Sequence, residues 1–231
     1  MTELHYFDPR KPTGILERKL PHWSQAGVVC FITFRTNDSI PSEVVRRWRA
    51  ERSQWLVRYG VSQQAGNWRQ ELRQLDEGAR REFYRQFSQR WHDELDACCG
   101  ACHLRRHELA AEVEQSLLKF DGDRCEMFDF VVMPNHVHLL AAFAEEDSML
   151  KQCNSWKHFT ARKINLKCGT RGRFWQQDGF DHLVRSAEQF EHFRRYIADN
   201  PSKAGLPIGD FIHYSKPLTQ WGHPSARRPE K

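Results

Sequence analysis

The feature that most constrains this chain is the stretch Phe128-Asp129-Phe130-Val131-Val132-Met133-Pro134-Asn135-His136-Val137-His138-Leu139-Leu140. Two short apolar runs flank Met133-Pro134-Asn135, whose proline and asparagine mark a tight turn. The pattern predicts a β-hairpin whose second strand starts at His136. Alternate residues of a strand share a face, so His136 and His138 project one way while Val137 and Leu139 project the other. The apolar pair can then enter a core while two imidazoles present nitrogens to a common point. That is half of a metal site, and it needs further ligands. A bare His-x-His also fits a strand with two solvent-facing histidines, so the remaining groups must come from elsewhere in the chain.

Composition narrows what surrounds this hairpin. A chain of 231 residues is one domain, or one domain with an insert, and is long enough to bury a core. Its hydrophobic fraction of 39% and charged fraction of 28% suit a globular protein and exclude a disordered one. Lys plus Arg is 35 against 30 Asp plus Glu, a mildly basic balance of +5 that is compatible with nucleic acid. Eight tryptophans, several beside basic residues, suit base stacking as well as ordinary core packing. No apolar run approaches membrane-spanning length, and the charged start Met1–Asp8 lacks the apolar segment of a signal peptide. Seven cysteines without framework spacing point to reduced thiols and a cytoplasmic protein. Cys99-x-x-Cys102 with His107 has partial zinc-ligand character, but no second Cys or His pair lies at finger spacing. A loop with small buried thiols is the favoured reading there.

Breaks at Pro9, Pro12, Gly14 and Pro21 make residues 1–24 irregular, with Arg18, Lys19 and His22 basic at their end. Residues 27–36 predict a central strand, apolar on both faces. Ser42 is a plausible N-cap for a helix with Val45, Trp48, Trp55 and Tyr59 at helical spacing. A second helix is predicted to carry Leu72, Leu75, Ala79, Phe83, Phe87, Trp91 and Leu95, and a third runs from about 105 to 119. Residues 42–118 thus read as a helical insert between the first strand and the hairpin, within a single domain spanning 1–231.

The second half supplies candidate partners. Residues 148–167 predict a helix with Leu150, Cys153, Trp156, Thr160 and Ile164 inward. Lys151, Lys157, Arg162, Lys163 and Lys167 lie elsewhere on it without an acidic residue, a phosphate-binding pattern. A basic loop at 169–173 and a short strand near 181–184 follow. Ser186 and Gln189 then match a capping box. They open a helix with Phe190, Phe193 and Ile197 buried, which Pro201 is expected to end. Tyr196 and Asn200, four residues apart, stack one turn apart on one face.

Two resemblances follow from these residues. Met133–Leu140 resembles the metal-binding motif of the single-tyrosine HUH transposases, which act on single-stranded DNA. Trp175-Gln176, Phe180-x-His182-Leu183-Val184-Arg185 and Tyr196-Ile197-x-x-Asn200-Pro201-x-Lys203-Ala204-Gly205-Leu206 resemble the signature of the REP-associated tyrosine transposases, relatives of the insertion-sequence-200 type enzymes. Ser202 departs from the valine usual there, and the insert has no counterpart in the smallest relatives. The resemblance implies an α+β fold, an antiparallel sheet with helices packed on its faces (the HUH, ferredoxin-like transposase fold), with the tyrosine helix laid against the sheet. It implies Tyr196 as nucleophile and His136, His138 and Asn200 as ligands of a divalent metal ion, Mg²⁺ or Mn²⁺. With the basic helix and loop, it gives a DNA-contacting set of Lys151, Lys157, Arg162, Lys163, Arg173, Trp175, Gln176, His182, Arg185 and Lys203. The implied partner is single-stranded or hairpin DNA, with a monomer favoured over a homodimer. A catalytically silent DNA-binding module is the alternative, and a metal-dependent hydrolase with a water nucleophile is a more distant one.

Overall fold

A computed structural model describes residues 4–16, 22–62, 68–87, 95, 98–177 and 179–217. Arg18, Lys19 and Trp91 lie outside the described residues. A small ribbon pairs β1 (Gly14–Leu16) with β2 (His22–Ser24). The main sheet has five antiparallel strands: β3 (Val29–Arg35), β4 (Cys125–Val132), β5 (His136–Phe143), β6 (Phe180–Leu183) and β7 (Ile212–Ser215). Their order is β6-β3-β5-β4-β7. The expected hairpin is β4–β5, closed across Pro134-Asn135 by the Met133 N–H donating to the His136 carbonyl at 2.8 Å.

Two crossover helices complete a βαββαβ core of ferredoxin-like plan. They are α4 (His107–Leu118), between β3 and β4, and α5 (Ser148–Cys168), between β5 and β6. Both pack on one face of the sheet. Leu109, Val113 and Leu117 of α4 and Cys153, Trp156 and Ile164 of α5 share a core with Cys30, Ile32 and Phe34 of β3 and Val137, Leu139 and Ala141 of β5. Helix α6 (Ala187–Lys203) covers the opposite face, where Phe190 and Ile197 meet Val29, Phe31, Phe128, Val131 and Leu140. The β-period puts adjacent residues of each strand into different cores, which is why the central strands are apolar on both sides.

The insert carries α1 (Ser42–Arg58), α2 (Trp68–Gln74) and α3 (Glu77–Phe87). Trp55, Leu56, Val61, Leu72, Ala79, Phe83 and Phe87 form a core of their own. Two local expectations about helices α1–α3 are corrected. Pro41 is the N-cap of α1, with no side-chain cap, and Ser42 is its first helical residue. The single second helix is broken after Gln74, because the Asp76 carboxylate accepts from the Ala79 N–H at 2.9 Å and starts α3. Helix α4 belongs to the sheet's core and not to the core of the insert.

Pro201 does not end α6 either. It lies inside the helix, where it removes one backbone donor near the end of an element already anchored on the sheet. The stop comes at Gly205, whose φ of +63° few other residues adopt readily. The Leu206 N–H reaches the Pro201 carbonyl at 2.9 Å and the Gly205 N–H reaches Ser202 at 3.0 Å. That pair of bonds is a Schellman motif, and it leaves Asn200 within the regular helix.

Candidate active site

The site is built on the α6 face of the sheet. His136 and His138 both point to it from β5, both fully buried, with ring centroids 4.6 Å apart. Burying two imidazoles is costly unless their nitrogens are engaged. The His136 Nδ1 sits 2.7 Å from the Asn135 Oδ1. Asn135 donates its own amide Nδ2–H to the Cys99 carbonyl at 3.0 Å, so its oxygen faces the ring and Nδ1 of His136 carries the hydrogen. The His138 Nδ1 is 2.7 Å from the Thr33 hydroxyl. Both rings are therefore oriented through Nδ1, and Nε2 is the nitrogen each would turn to a cation.

Helix α6 brings in the tyrosine. Ser186 caps it by accepting from the Gln189 N–H at 3.2 Å, and the Gln189 side chain accepts from the Arg185 N–H at 2.8 Å, one residue before the usual capping-box partner. Phe193 stacks on Phe31 at 4.3 Å. Arg194 donates to the buried Asp129 of β4 at 2.8 Å and to the Ser215 hydroxyl of β7 at 2.8 Å, while Ser215 donates to Asp129 at 2.5 Å. This tie fixes the helix along and across the sheet. As a result the Tyr196 ring lies edge-on to His138 at 5.2 Å and to Phe31 at 5.8 Å. The Lys203 ammonium is 5.3 Å from the Tyr196 ring centre. Asn200, one turn beyond Tyr196, is fully buried.

A divalent cation fits this donor set in chemical kind. Two oriented imidazoles and an amide oxygen are ligands that Mn²⁺ accepts, and Mg²⁺ is the harder alternative, preferring oxygen. Among the described residues no group of three or more His, Cys, Asp or Glu side chains is placed to hold a metal.

The other expected contact residues divide between the two sides of the sheet. His182 lies on the site face with its ring 5.6 Å from Phe193, and burial holds its pKa below the ordinary imidazole value. Arg185 is exposed near Phe7, and Arg173 is exposed on the loop between α5 and β6. The cations of α5 belong to the opposite layer. Lys151 is ion-paired with Asp147, and Lys157 donates to the Gln177 carbonyl at 2.6 Å. Arg162 and Lys163 are exposed, with Lys163 over Phe159. Trp175, also in the expected contact set, lies inside the fold. It is 4% exposed, packs in the α4/α5 core and donates its indole N–H to the Thr160 hydroxyl at 2.9 Å. The Gln176 amide donates to the Asn37 carbonyl at 2.9 Å and so secures the chain after β3.

Three residues on the site face were missed in sequence. Thr33 orients His138 and Asn135 orients His136. Arg35 stands across the β3–β5 ladder from His136, and burial lowers its pKa to about 10, so it stays cationic at neutral pH. Asn135 had a signal, its place beside the first histidine. Thr33 and Arg35 had none without the β3–β5 register. Cys99 serves the site through its carbonyl.

Two comparisons of sequence and one of structure found similar proteins. Residues 103–200 match the family model of IS200-like transposases. Over 94 residues, 40% of this chain, the sequence is 27% identical to the REP-associated tyrosine transposase of Escherichia coli (strain K12). The match spans 54% of that protein, about half its length. A solved structure of a REP-associated tyrosine transposase bound to a REP hairpin is also similar, with a TM-score of 0.41 and 15% identity over 80% of this chain and 73% of that one.

Proposed function

We propose that the protein, whose residues 103–200 match the family model of IS200-like transposases, cleaves and rejoins single-stranded DNA through a covalent bond to Tyr196. The observation that carries this reading is the Tyr196 ring edge-on to His138 at 5.2 Å, beside two buried, oriented histidines. His136, His138 and Asn200 are the residues that would hold the divalent ion. When bound, such an ion supplies Lewis-acid charge at a non-bridging oxygen of the scissile phosphate.

The chain's own groups do the rest. The Tyr196 oxygen bonds to phosphorus as the bond from phosphorus to the 3′-oxygen breaks, which leaves a 5′-phosphotyrosine and a free 3′-hydroxyl. The tyrosine loses one proton and the leaving oxygen gains one, so the step needs no further reactant. The phosphotyrosine conserves the bond energy for a later attack by another 3′-hydroxyl, which is strand transfer. The Lys203 charge beside the ring offsets negative charge on the phenolic oxygen as the proton leaves. His182 and Arg185, from the strand end beside α6, would meet DNA near the same face. A hairpin DNA substrate is part of this reading.

The test uses 3′-end-labelled single-stranded DNA, Mn²⁺ or Mg²⁺, and the full chain. After denaturation, labelled protein with its adduct mapped to Tyr196 is the expected result. Tyr196→Phe keeps the ring and its packing and should bind DNA without cutting it. Cleavage with no adduct would replace this reading with a hydrolase. Binding with neither would leave a silent DNA-binding module.

A further inference from the structure

The site face carries a cation that the two-histidine chemistry does not use. In the β3–β5 ladder Thr33 stands opposite His138 and Arg35 opposite His136. Ile32 and Phe34 face the α4/α5 core, so strand alternation turns Thr33 and Arg35 to the side that holds the histidines. Thr33 is spent on orienting His138. Arg35 is half-buried, and its Nη1 donates to the Ser39 hydroxyl at 2.9 Å. Ser39 is itself fully buried and donates to the Thr36 carbonyl at 2.9 Å. The next link is the Thr36 N–H, which donates to the Asn135 carbonyl at 2.8 Å. The guanidinium is thus anchored on the same short stretch of backbone that orients His136.

We propose that Arg35 contacts the non-bridging oxygens of the phosphate at the cleavage point, as a guanidinium clamp beside the two histidines. The proposal rests on the transposase reading for the identity of that phosphate. A planar guanidinium presents paired donors that match a phosphodiester, and a lysine does not reproduce that fork. Partial burial strengthens the attraction to an anion, because less water screens it. Negative charge is also redistributed over the non-bridging oxygens during in-line displacement, and a donor already in place stabilises it without reorganising.

The experiment is a chemical double-mutant cycle. Arg35→Gln is compared with the parent in a Tyr196→Phe background, so that no cleavage interferes. Each binds two single-stranded oligonucleotides, one unmodified and one with a neutral methylphosphonate at the mapped cleavage point or, if no cleavage is found, at each phosphate in turn. The expected result is that Arg35→Gln and the methylphosphonate each weaken binding roughly tenfold, and that the two losses do not add when combined. Full additivity at every phosphate overturns the contact, as does unaltered binding by Arg35→Gln. In the Tyr196 background, Arg35→Gln should slow adduct formation at saturating DNA by roughly 10²-fold, Arg35→Lys should recover only part of it, and Mn²⁺ binding should be unchanged. If Arg35→Gln instead lowers Mn²⁺ affinity and melting temperature with additive losses, Arg35 only holds the turn at Thr36–Ser39. A wild type that forms no adduct would sink the tyrosine reading, while the binding cycle would still decide for or against Arg35.

Discussion

The two faces of β5 differ in kind although both are sealed from water. Val137, Leu139 and Ala141 enter a core whose cohesion is apolar and non-directional, so neighbouring volume is all they require. His136 and His138, one residue out of phase, are equally buried, yet each needs a particular partner at a particular distance: Asn135 for one and Thr33 for the other. One face holds the sheet together, and the other uses that rigidity to hold two imidazoles still. The difference teaches that burial alone does not separate core from site; the demand for specific partners does.

Substitutions on adjacent residues of β5 test this division most severely. His138→Ala should abolish metal-dependent cleavage, a loss of at least ~10³-fold in rate, because it removes a group that would hold the Lewis acid. Its effect on urea-induced unfolding should be the smaller of the pair. Leu139→Ala should do the reverse, costing about 2–5 kcal/mol of stability while the folded fraction retains metal-dependent cleavage. Equal losses of stability with undiminished cleavage in His138→Ala would erase the distinction.

Asn135 sharpens the comparison from one shell further out. Its substitution by Ala leaves both imidazoles in place but removes the acceptor of His136 and the tie to the Cys99 carbonyl. Loss of such an orienting partner typically lowers metal affinity or activity roughly 10–100-fold. Titration of the variant with Mn²⁺ against wild type measures it directly, and an unchanged affinity would place the orientation of His136 elsewhere.

The α5 cations ask whether DNA also uses the far layer. If Arg162 and Lys163 meet phosphates, replacing both by Ala should lower the log–log salt slope of single-strand binding by roughly 0.7 for each contact. An unchanged slope would confine the DNA path to the α6 side. The smallest effect expected is on pH. Burial lowers the pKa of His182 and His213 in the folded state. Their contribution to stability is complete above the unfolded imidazole value of ~6.5 and is lost as pH falls toward the folded values, because only the unfolded chain takes up those protons in that window. Melting temperatures measured from neutral to mildly acid pH should therefore decline, and more gently in His182→Gln.

Sequence by itself determined the parts whose signal is local. The hairpin with His136 and His138 on one face follows from a period of two and a proline-asparagine turn. The Tyr196–Asn200 pair follows from helical spacing behind a Ser186 cap, while the α+β class came only as what the family resemblance implies. What only the tertiary structure decided are matters of register and of which face a helix covers, since hydrophobic periodicity says that an element is buried but not against what. It paired Thr33 with His138 and Arg35 with His136. It placed the α5 cations behind the sheet and turned Trp175 into that core. It also let Pro201 remain in α6, because the Asp129–Arg194 tie and the Gly205 cap secure the helix on both sides of the proline. Contacts between residues about a hundred positions apart depend on how the whole chain closes, and no local pattern encodes them.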